Sequence, residues 1–202
     1  MKILSNVTAL AAVVTLAWSS PAHAATRPPR VPGTLEVEAG NRPFLIGHAI
    51  GSQNYICLPS GGGFAWTLFG PQATLFNDDE DQIITHFLSA NPDEAGLPRA
   101  TWQHSRDTSA VWAMMTAQSA DPNYVAPGAI PWFLLKVVGR DEGPDGGRRL
   151  TPTTFIQRVN TAGGVAPATG CAVPADIGKK ALVPYAADYV FYRGFNASSD
   201  LE

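Results

Sequence analysis

Apolar and polar residues alternate along most of this chain, which is the pattern of strands with one buried face rather than of helices. Turns rich in Gly, Pro, Asn and Asp separate the runs of strand-forming residues. The predicted strands are 50–57, 64–69, 73–76, 83–88, 101–104, 108–116, 132–138, 153–160 and 188–192. Short helical turns are expected only at 121–128 and 174–178. The pattern predicts one all-β domain over residues 35–195, a β-sandwich or a barrel-like closed sheet, followed by a polar tail at 196–202.

The N-terminus has the features of a secretory signal peptide. Lys2 is followed by an apolar stretch over residues 7–18 and by a small-residue cleavage sequence that ends at Ala24. This stretch is shorter than the roughly 20 residues that a membrane span requires. We therefore expect cleavage near Ala24 and a secreted or periplasmic protein with no stable membrane span. Residues 25–34 are rich in proline and predict a flexible leader.

The chain has two cysteines, Cys57 and Cys171, and both follow the predicted signal peptide. In an oxidising compartment this arrangement predicts a disulfide, which would tie an early strand to a late loop. The charges exclude a nucleic-acid partner, because 14 basic residues are scattered among 17 acidic ones and the net charge is −3.

Two histidines and a tryptophan are candidates for a site. His104 follows Trp102 by two residues, so both side chains lie on one face of a strand, and His86 belongs to another alternating strand. In one interpretation His86 and His104 converge with a carboxylate such as Asp107 or Asp79. In the other, one histidine is hydrogen-bonded in the core and the other lies at the surface. No H-x-H or H-E-x-x-H spacing is present, so no metal site is predicted. Trp102 is the tryptophan that we expect to be exposed.

Arg158 lies within a predicted strand and is the candidate anion-binding residue. Beside Asn160 it could bind a carboxylate or sulfate through paired N–H donors. The alternative is an ion pair with an internal acid, for which Asp188 is the candidate. The stretch that begins at Asn160 and ends in two glycines predicts a turn with positive φ angles.

Several stretches of the chain match a known family. They are QNYIC at 53–57, GPQATLF at 70–76, AIPWFLLK at 129–136, QRVNTAGGVAP at 157–167 and ADYVFY at 187–192. On these residues the chain resembles the uncharacterised family catalogued as domain of unknown function 3455, which occurs in secreted bacterial and fungal proteins. The resemblance implies no established activity. One departure from the family pattern lies at 88–100, where LSANPDEAGLPRA replaces a short Gly-Pro connection.

The function expected from these observations is non-enzymatic. An aromatic-rich β scaffold without a recognisable catalytic motif favours a binding module for a small ligand, a glycan or a surface component. The alternatives are a secreted hydrolase or metal-dependent enzyme that uses His86, His104 and Arg158, and a structural envelope protein. The sequence predicts no cofactor and leaves the oligomeric state open.

Overall fold

The protein is a closed barrel of eight antiparallel strands in a computed structural model that describes residues 27–195. Each strand pairs with its sequence neighbours, and the last strand pairs with the first. The strands are β1 (Asn41–Ser60), β2 (Gly63–Phe76), β3 (Gln82–Asn91), β4 (Leu97–His104), β5 (Ala110–Ser119), β6 (Trp132–Asp141), β7 (Thr153–Gly163) and β8 (Lys180–Gly194). The prediction of an all-β fold is therefore confirmed, and of the two predicted architectures the barrel-like closed sheet is the one observed. The predicted signal peptide and polar tail lie outside the described residues.

Alternation along the strands creates two hydrophobic layers. Leu75, Ile84, Val111 and Phe191 belong to the larger cluster, which fills the barrel interior. A second cluster lies on the outside of β6, β7 and β8, where the chain around Leu35 covers it. This second layer explains why the first part of β6 is apolar on both faces, because Trp132 and Leu134 pack in the outer cluster while Leu135 and Val137 face the interior.

The strands differ from the sequence prediction mainly in length. β1 and β8 pair from Asn41 opposite Gly194 to Ile56 opposite Lys180, with one bulge between Pro43 and Leu45, and so extend far beyond the predicted ranges 50–57 and 188–192. Ranges 64–69 and 73–76 form one strand, because a bulge at Asn54/Tyr55 lets the chain continue through Gly70. Of the two predicted helical turns, 174–178 contains a short 3-10 helix, whereas 121–128 contains only turns.

The predicted disulfide is present. Cys57 of β1 is bonded to Cys171 in the loop between β7 and β8, so the bridge ties an early strand to a late loop. Hydrogen bonds hold the same loop against β1 independently, since the Cys57 N–H donates to the Lys179 carbonyl and the Gly178 N–H donates to the Cys57 carbonyl. The disulfide therefore reinforces a junction that the backbone also makes.

The seam between β2 and β3 is short, as are those between β4 and β5 and between β6 and β7, but at this seam long parts of both strands lie outside the ladder. β2 pairs with β3 only through residues Ala73–Phe76 opposite Gln82–His86. The earlier part of β2, residues 63–72, makes no ladder with the later part of β3, residues 87–91. Near this divergence Gly70 has φ 150°, a conformation that strongly favours glycine, and a Cβ there would lie 3.1 Å from Leu88 Cβ.

Candidate functional site

A cavity of about 220 Å³ lies inside the barrel next to the short β2–β3 seam. Every strand except β5 contributes to its wall, and the lining is mostly apolar. The lining residues are Gln53, Leu68, Phe69, Gly70, Pro71, His86, Leu88, Ala100, Trp102, Phe133, Leu135, Arg158 and Tyr189. Three of these, Leu68, Phe69 and Leu88, are exposed to solvent and form the mouth of the cavity.

Arg158 brings a buried positive charge to this cavity. Strand alternation turns Ile156 into the barrel interior and Val159 toward the outer cluster, so Arg158 faces inward like Ile156. Its side chain is 7% exposed. Its guanidinium carbon lies 3.7 Å from the centre of the Phe133 ring, and Nη2 donates to the Pro131 carbonyl at 2.8 Å. Neither contact neutralises the charge.

The predicted ion pair between Arg158 and Asp188 does not form. Asp188 lies on β8 between Ala187 and Tyr189, both of which face the barrel interior, and alternation therefore turns Asp188 outward. Within residues 27–195, Arg158 makes no ion pair, and no carboxylate lines the cavity. The charge thus has no internal counter-ion in the part of the chain that the structure describes.

Three side chains that line the cavity also have buried nitrogens that make no hydrogen bond of good geometry within the described chain, although the Tyr185 hydroxyl lies near Gln53 and the Tyr189 hydroxyl near Arg158. The three nitrogens are Gln53 Nε2, Trp102 Nε1 and Arg158 Nε. Buried polar groups are nearly always paired, and an unpaired one destabilises the fold by about 1–3 kcal/mol. All three nitrogens are hydrogen-bond donors. The polar part of this cavity is therefore rich in donors and suited to an acceptor.

His86, Trp102 and Tyr189 form an aromatic cluster in the cavity wall. The His86 ring stacks on Trp102 with 4.2 Å between centroids and 10° between planes. His86 Nδ1 donates to the Thr101 carbonyl at 2.8 Å, which leaves Nε2 as an acceptor. Burial lowers the pKa of His86 to about 3, and the nearby charge of Arg158 acts in the same direction. His86 is therefore neutral, and Arg158 carries the only formal charge in the wall.

Trp102 is fully buried, so the expectation that it is the exposed tryptophan is wrong. The physical reason is the register. Trp102 lies opposite His86 of β3 and Val111 of β5, and both neighbours are buried. Trp102 is one of the candidate site residues proposed from the sequence, and its side chain does line the cavity.

His104 does not join His86. Its Nδ1 lies at the turn that follows β4, where it accepts the Asp107 N–H at 3.2 Å and lies 3.1 Å from the Asp107 carboxylate. Burial is the main cause that lowers the pKa of His104. The Asp107 carboxylate accepts from Ser109 and from the Arg149 N–H, so the group organises turns instead of facing the cavity. The interpretation that both histidines converge with one carboxylate is not supported by this placement.

Asn160 and Asp188 belong to a separate network on the outer surface. Asn160 Nδ2 donates to Asp188 at 2.7 Å, and His48 bridges Asp188 at 2.7 Å and Asp78 at 2.9 Å. Both carboxylates raise the pKa of His48. Asn160 leaves the alternation of β7 because its φ is 50° at a bulge between Val159 and Ala162, as the predicted positive φ implied.

Gln53, Phe133 and Tyr189 are site residues that the sequence analysis did not single out. Gln53 could have been found by alternation, because it lies on the same side of β1 as Ala49, which belongs to the interior cluster. For Phe133 and Tyr189 the register supplies the missing information, because both lie directly opposite Arg158.

Two further observations concern metal ions and membranes. Among residues 27–195, no three His, Cys, Asp or Glu side chains are close enough together to hold a metal ion. The same described range contains no helix that is long and apolar enough to cross a membrane.

The fold and the cavity define an eight-stranded up-and-down β-barrel, an architecture whose interior holds packed side chains or one small ligand. The chain belongs to the family described as protein of unknown function (DUF3455), which it matches over residues 38–193, and the resemblance seen in the sequence is thereby confirmed. No curated protein and no solved structure is significantly similar to it.

Proposed function

We propose that this protein binds a small organic molecule in the cavity of the barrel and does not act as an enzyme. The observation that carries the proposal is the group of unpaired donor nitrogens on Gln53, Trp102 and Arg158 beside an apolar cavity. Folding alone gives no reason to bury these groups, because each one destabilises the protein unless a partner is supplied. Binding sites of this kind, apolar with a few convergent polar groups, are the usual form of small-ligand pockets.

Binding is favoured over catalysis because the cavity wall, among the described residues, lacks an activated nucleophile. No Ser, Thr, Cys, Asp or Glu lines it, burial raises the pKa of Tyr189, and His86 is stacked on Trp102 and bonded to a backbone carbonyl. Nucleophilic catalysis requires a nucleophile within hydrogen-bond reach of its base. A small ligand is favoured over a glycan because Trp102, Trp112 and Trp132 are buried. Trp66, which is partly exposed, donates its indole N–H to the Thr169 carbonyl and has no second exposed tryptophan beside it in the described range.

We further propose that the protein works outside the cytoplasm. The N-terminal signal features and the Cys57–Cys171 disulfide support this location, because disulfides persist in oxidising compartments. Mass spectrometry of the protein recovered from the periplasm or medium tests it. A chain that begins at Ala25 is expected, and recovery of only the uncleaved chain from the cytoplasm would contradict the proposal.

The binding proposal can be tested by filling the cavity. Ala100 lines it, so Ala100→Phe is expected to occupy the space that a ligand requires. Ala181→Phe on β8, which does not line the cavity, is the matched control. Ligand-detected NMR with phenylacetate, phenylacetamide and benzyl alcohol would report binding. We expect at least one compound to bind the wild type and the Ala181 variant but not the Ala100 variant. Binding by none of them, or equal binding by all three proteins, would refute the proposal.

A further inference from the structure

We propose that the ligand is a small apolar monocarboxylate whose carboxylate is bound by Arg158. This inference rests on the proposed function and adds the chemistry of the ligand. Its basis is the juxtaposition, in one cavity, of an uncompensated guanidinium, two further unpaired N–H donors and an otherwise apolar wall.

The sign of the ligand follows from the charges in the cavity. Arg158 is buried and has no carboxylate partner in the described chain, and the remaining unpaired nitrogens there, Gln53 Nε2 and Trp102 Nε1, also donate. A buried cation requires a paired anion or strong acceptors to offset its lost hydration. Pro131 supplies one backbone acceptor and the neutral Tyr189 hydroxyl lies beside the guanidinium, so neither offsets its charge, and a guanidinium has more N–H groups than these contacts use. An anionic acceptor fits this arrangement, whereas an organic cation would be repelled.

The magnitude of the ligand charge follows from His86. Its Nδ1–H is committed to the Thr101 carbonyl and its ring is neutral, so it adds no second positive charge. A dianion such as a phosphate monoester would bring two negative charges to one guanidinium and leave one of them buried and unpaired. A carboxylate carries a single charge and matches the planar fork of the guanidinium through paired hydrogen bonds.

The size and polarity of the rest of the ligand follow from the cavity. Its volume is about 220 Å³, and an apolar cavity of about 150 Å³ is known to hold benzene. A ring or short chain with a carboxylate, about ten non-hydrogen atoms in all, therefore fits. Leu68, Phe69 and Leu88 at the mouth and Leu135 in the wall provide the apolar surface against which such a group would pack.

Phenylacetate and phenylacetamide are matched probes, because they share one shape and differ in the charge that the inference concerns. Isothermal titration of the wild type with both compounds, and with 2-phenylethylammonium, measures the preference. One charge-assisted pair predicts roughly tenfold to hundredfold tighter binding of phenylacetate than of phenylacetamide, and no binding of the ammonium compound.

Arg158→Met removes the charge and keeps a long apolar side chain. It is expected to reduce the preference for phenylacetate to within about twofold while phenylacetamide still binds, since the apolar wall remains. The control is Arg148→Met, which removes an exposed arginine that does not line the cavity. Circular dichroism verifies that both variants are folded, and the wild-type comparison of the probes stands even if the Arg158 variant is not.

The outcomes separate the two proposals. If the wild type binds phenylacetamide as tightly as phenylacetate, the cavity binds small molecules but the assignment of an anionic ligand is overturned. If it prefers phenylacetate and Arg158→Met retains that preference, Arg158 is not the carboxylate-binding residue. If none of the three compounds binds, the proposed function itself fails.

Discussion

Breaking the Cys57–Cys171 disulfide should lower the stability of the barrel more than any substitution of a single surface residue. The bridge spans 114 residues of sequence. In the chain-entropy treatment, opening a loop of this length lowers the free energy of unfolding by about 5 kcal/mol at 25 °C. For a domain of this size, each kcal/mol changes Tm by about 2–4 °C. The expected fall in Tm is therefore about 10–20 °C.

The native structure should survive this change. The loop between β7 and β8 remains bonded to β1 through the Cys57 and Lys179 backbone, and the Trp66 indole N–H donates to the Thr169 carbonyl at 3.0 Å. The loss should thus arise mainly in the unfolded state, which gains freedom when the crosslink is absent. Far-UV circular dichroism of the reduced protein at low temperature should match that of the oxidised protein. The urea m-value should rise, because the unfolded chain expands.

Tm and the free energy of unfolding can be measured by calorimetry and urea denaturation. Three proteins are compared, namely the oxidised wild type, the reduced wild type and Cys57→Ala/Cys171→Ala. The two wild-type forms isolate the crosslink, because their side-chain atoms are otherwise the same. The double variant additionally loses the sulfur of Cys57, which is fully buried, and should be about 1 kcal/mol less stable than the reduced wild type. A fall in Tm below about 3 °C on reduction would refute the entropic argument. A changed circular dichroism spectrum would instead show that the bridge holds the native structure itself.

The other predictions concern His48 and a close strand contact. Two carboxylates raise the pKa of His48, so its contribution to stability is full below about pH 6.5 and is lost as the pH rises through the pKa of the folded state. The stability difference between wild type and His48→Gln should therefore be larger at about pH 5.5 than at about pH 8.5. Because His48 is partly exposed, the two differences should themselves differ by less than about 1 kcal/mol. A larger stability difference at the higher pH would contradict this. At Gly139, a Cβ would clash with Oδ1 of the buried Asn91, so Gly139→Ala should lower the free energy of unfolding, measured by urea denaturation, by about 2 kcal/mol. Gly194→Ala is the control, because a Cβ at Gly194 meets no atom within 4 Å and should not destabilise the protein. Equal effects of the two substitutions would show that the Asn91 side chain can move aside without loss of stability.

The strands of the barrel were largely predictable because alternation and turn residues are local signals. Their true lengths were not. In β1, Gly47 and Gly51 weaken the strand pattern, but the neighbouring β2 chain comes so close that Cβ atoms there would lie within 3 Å of it. The need for glycine at these two positions is visible only when both strands are present. For the same reason, the sequence left the choice between a sandwich and a barrel open, since closure depends on the pairing of β1 with β8.

The sequence could indicate several residues of the site, but not which of the candidate residues lie together. Arg158, His86 and Trp102 were recognised as unusual within strands, and they do share one cavity. Asn160 and Asp188 were grouped with them by closeness in sequence or by charge. A positive φ at Asn160 and the outward side of β8 at Asp188 place both outside the barrel. The place of Asn160 depends on a bulge, which strand alternation does not show, whereas that of Asp188 follows from alternation once the inward face of β8 is known.

The short seam between β2 and β3 also bears on how quickly the interior can exchange its contents. Only Ala73–Phe76 join β2 to β3, so no ladder hydrogen bonds connect segments 63–72 and 87–91 to each other, although the first stays paired with β1 and the second with β4. Separating these two facing segments therefore breaks no bonds across the seam and requires only a local opening, whose free energy lies below that of global unfolding. The rate at which a bound molecule leaves would then depend on that opening and on its own contacts in the cavity, and not on the stability of the whole fold.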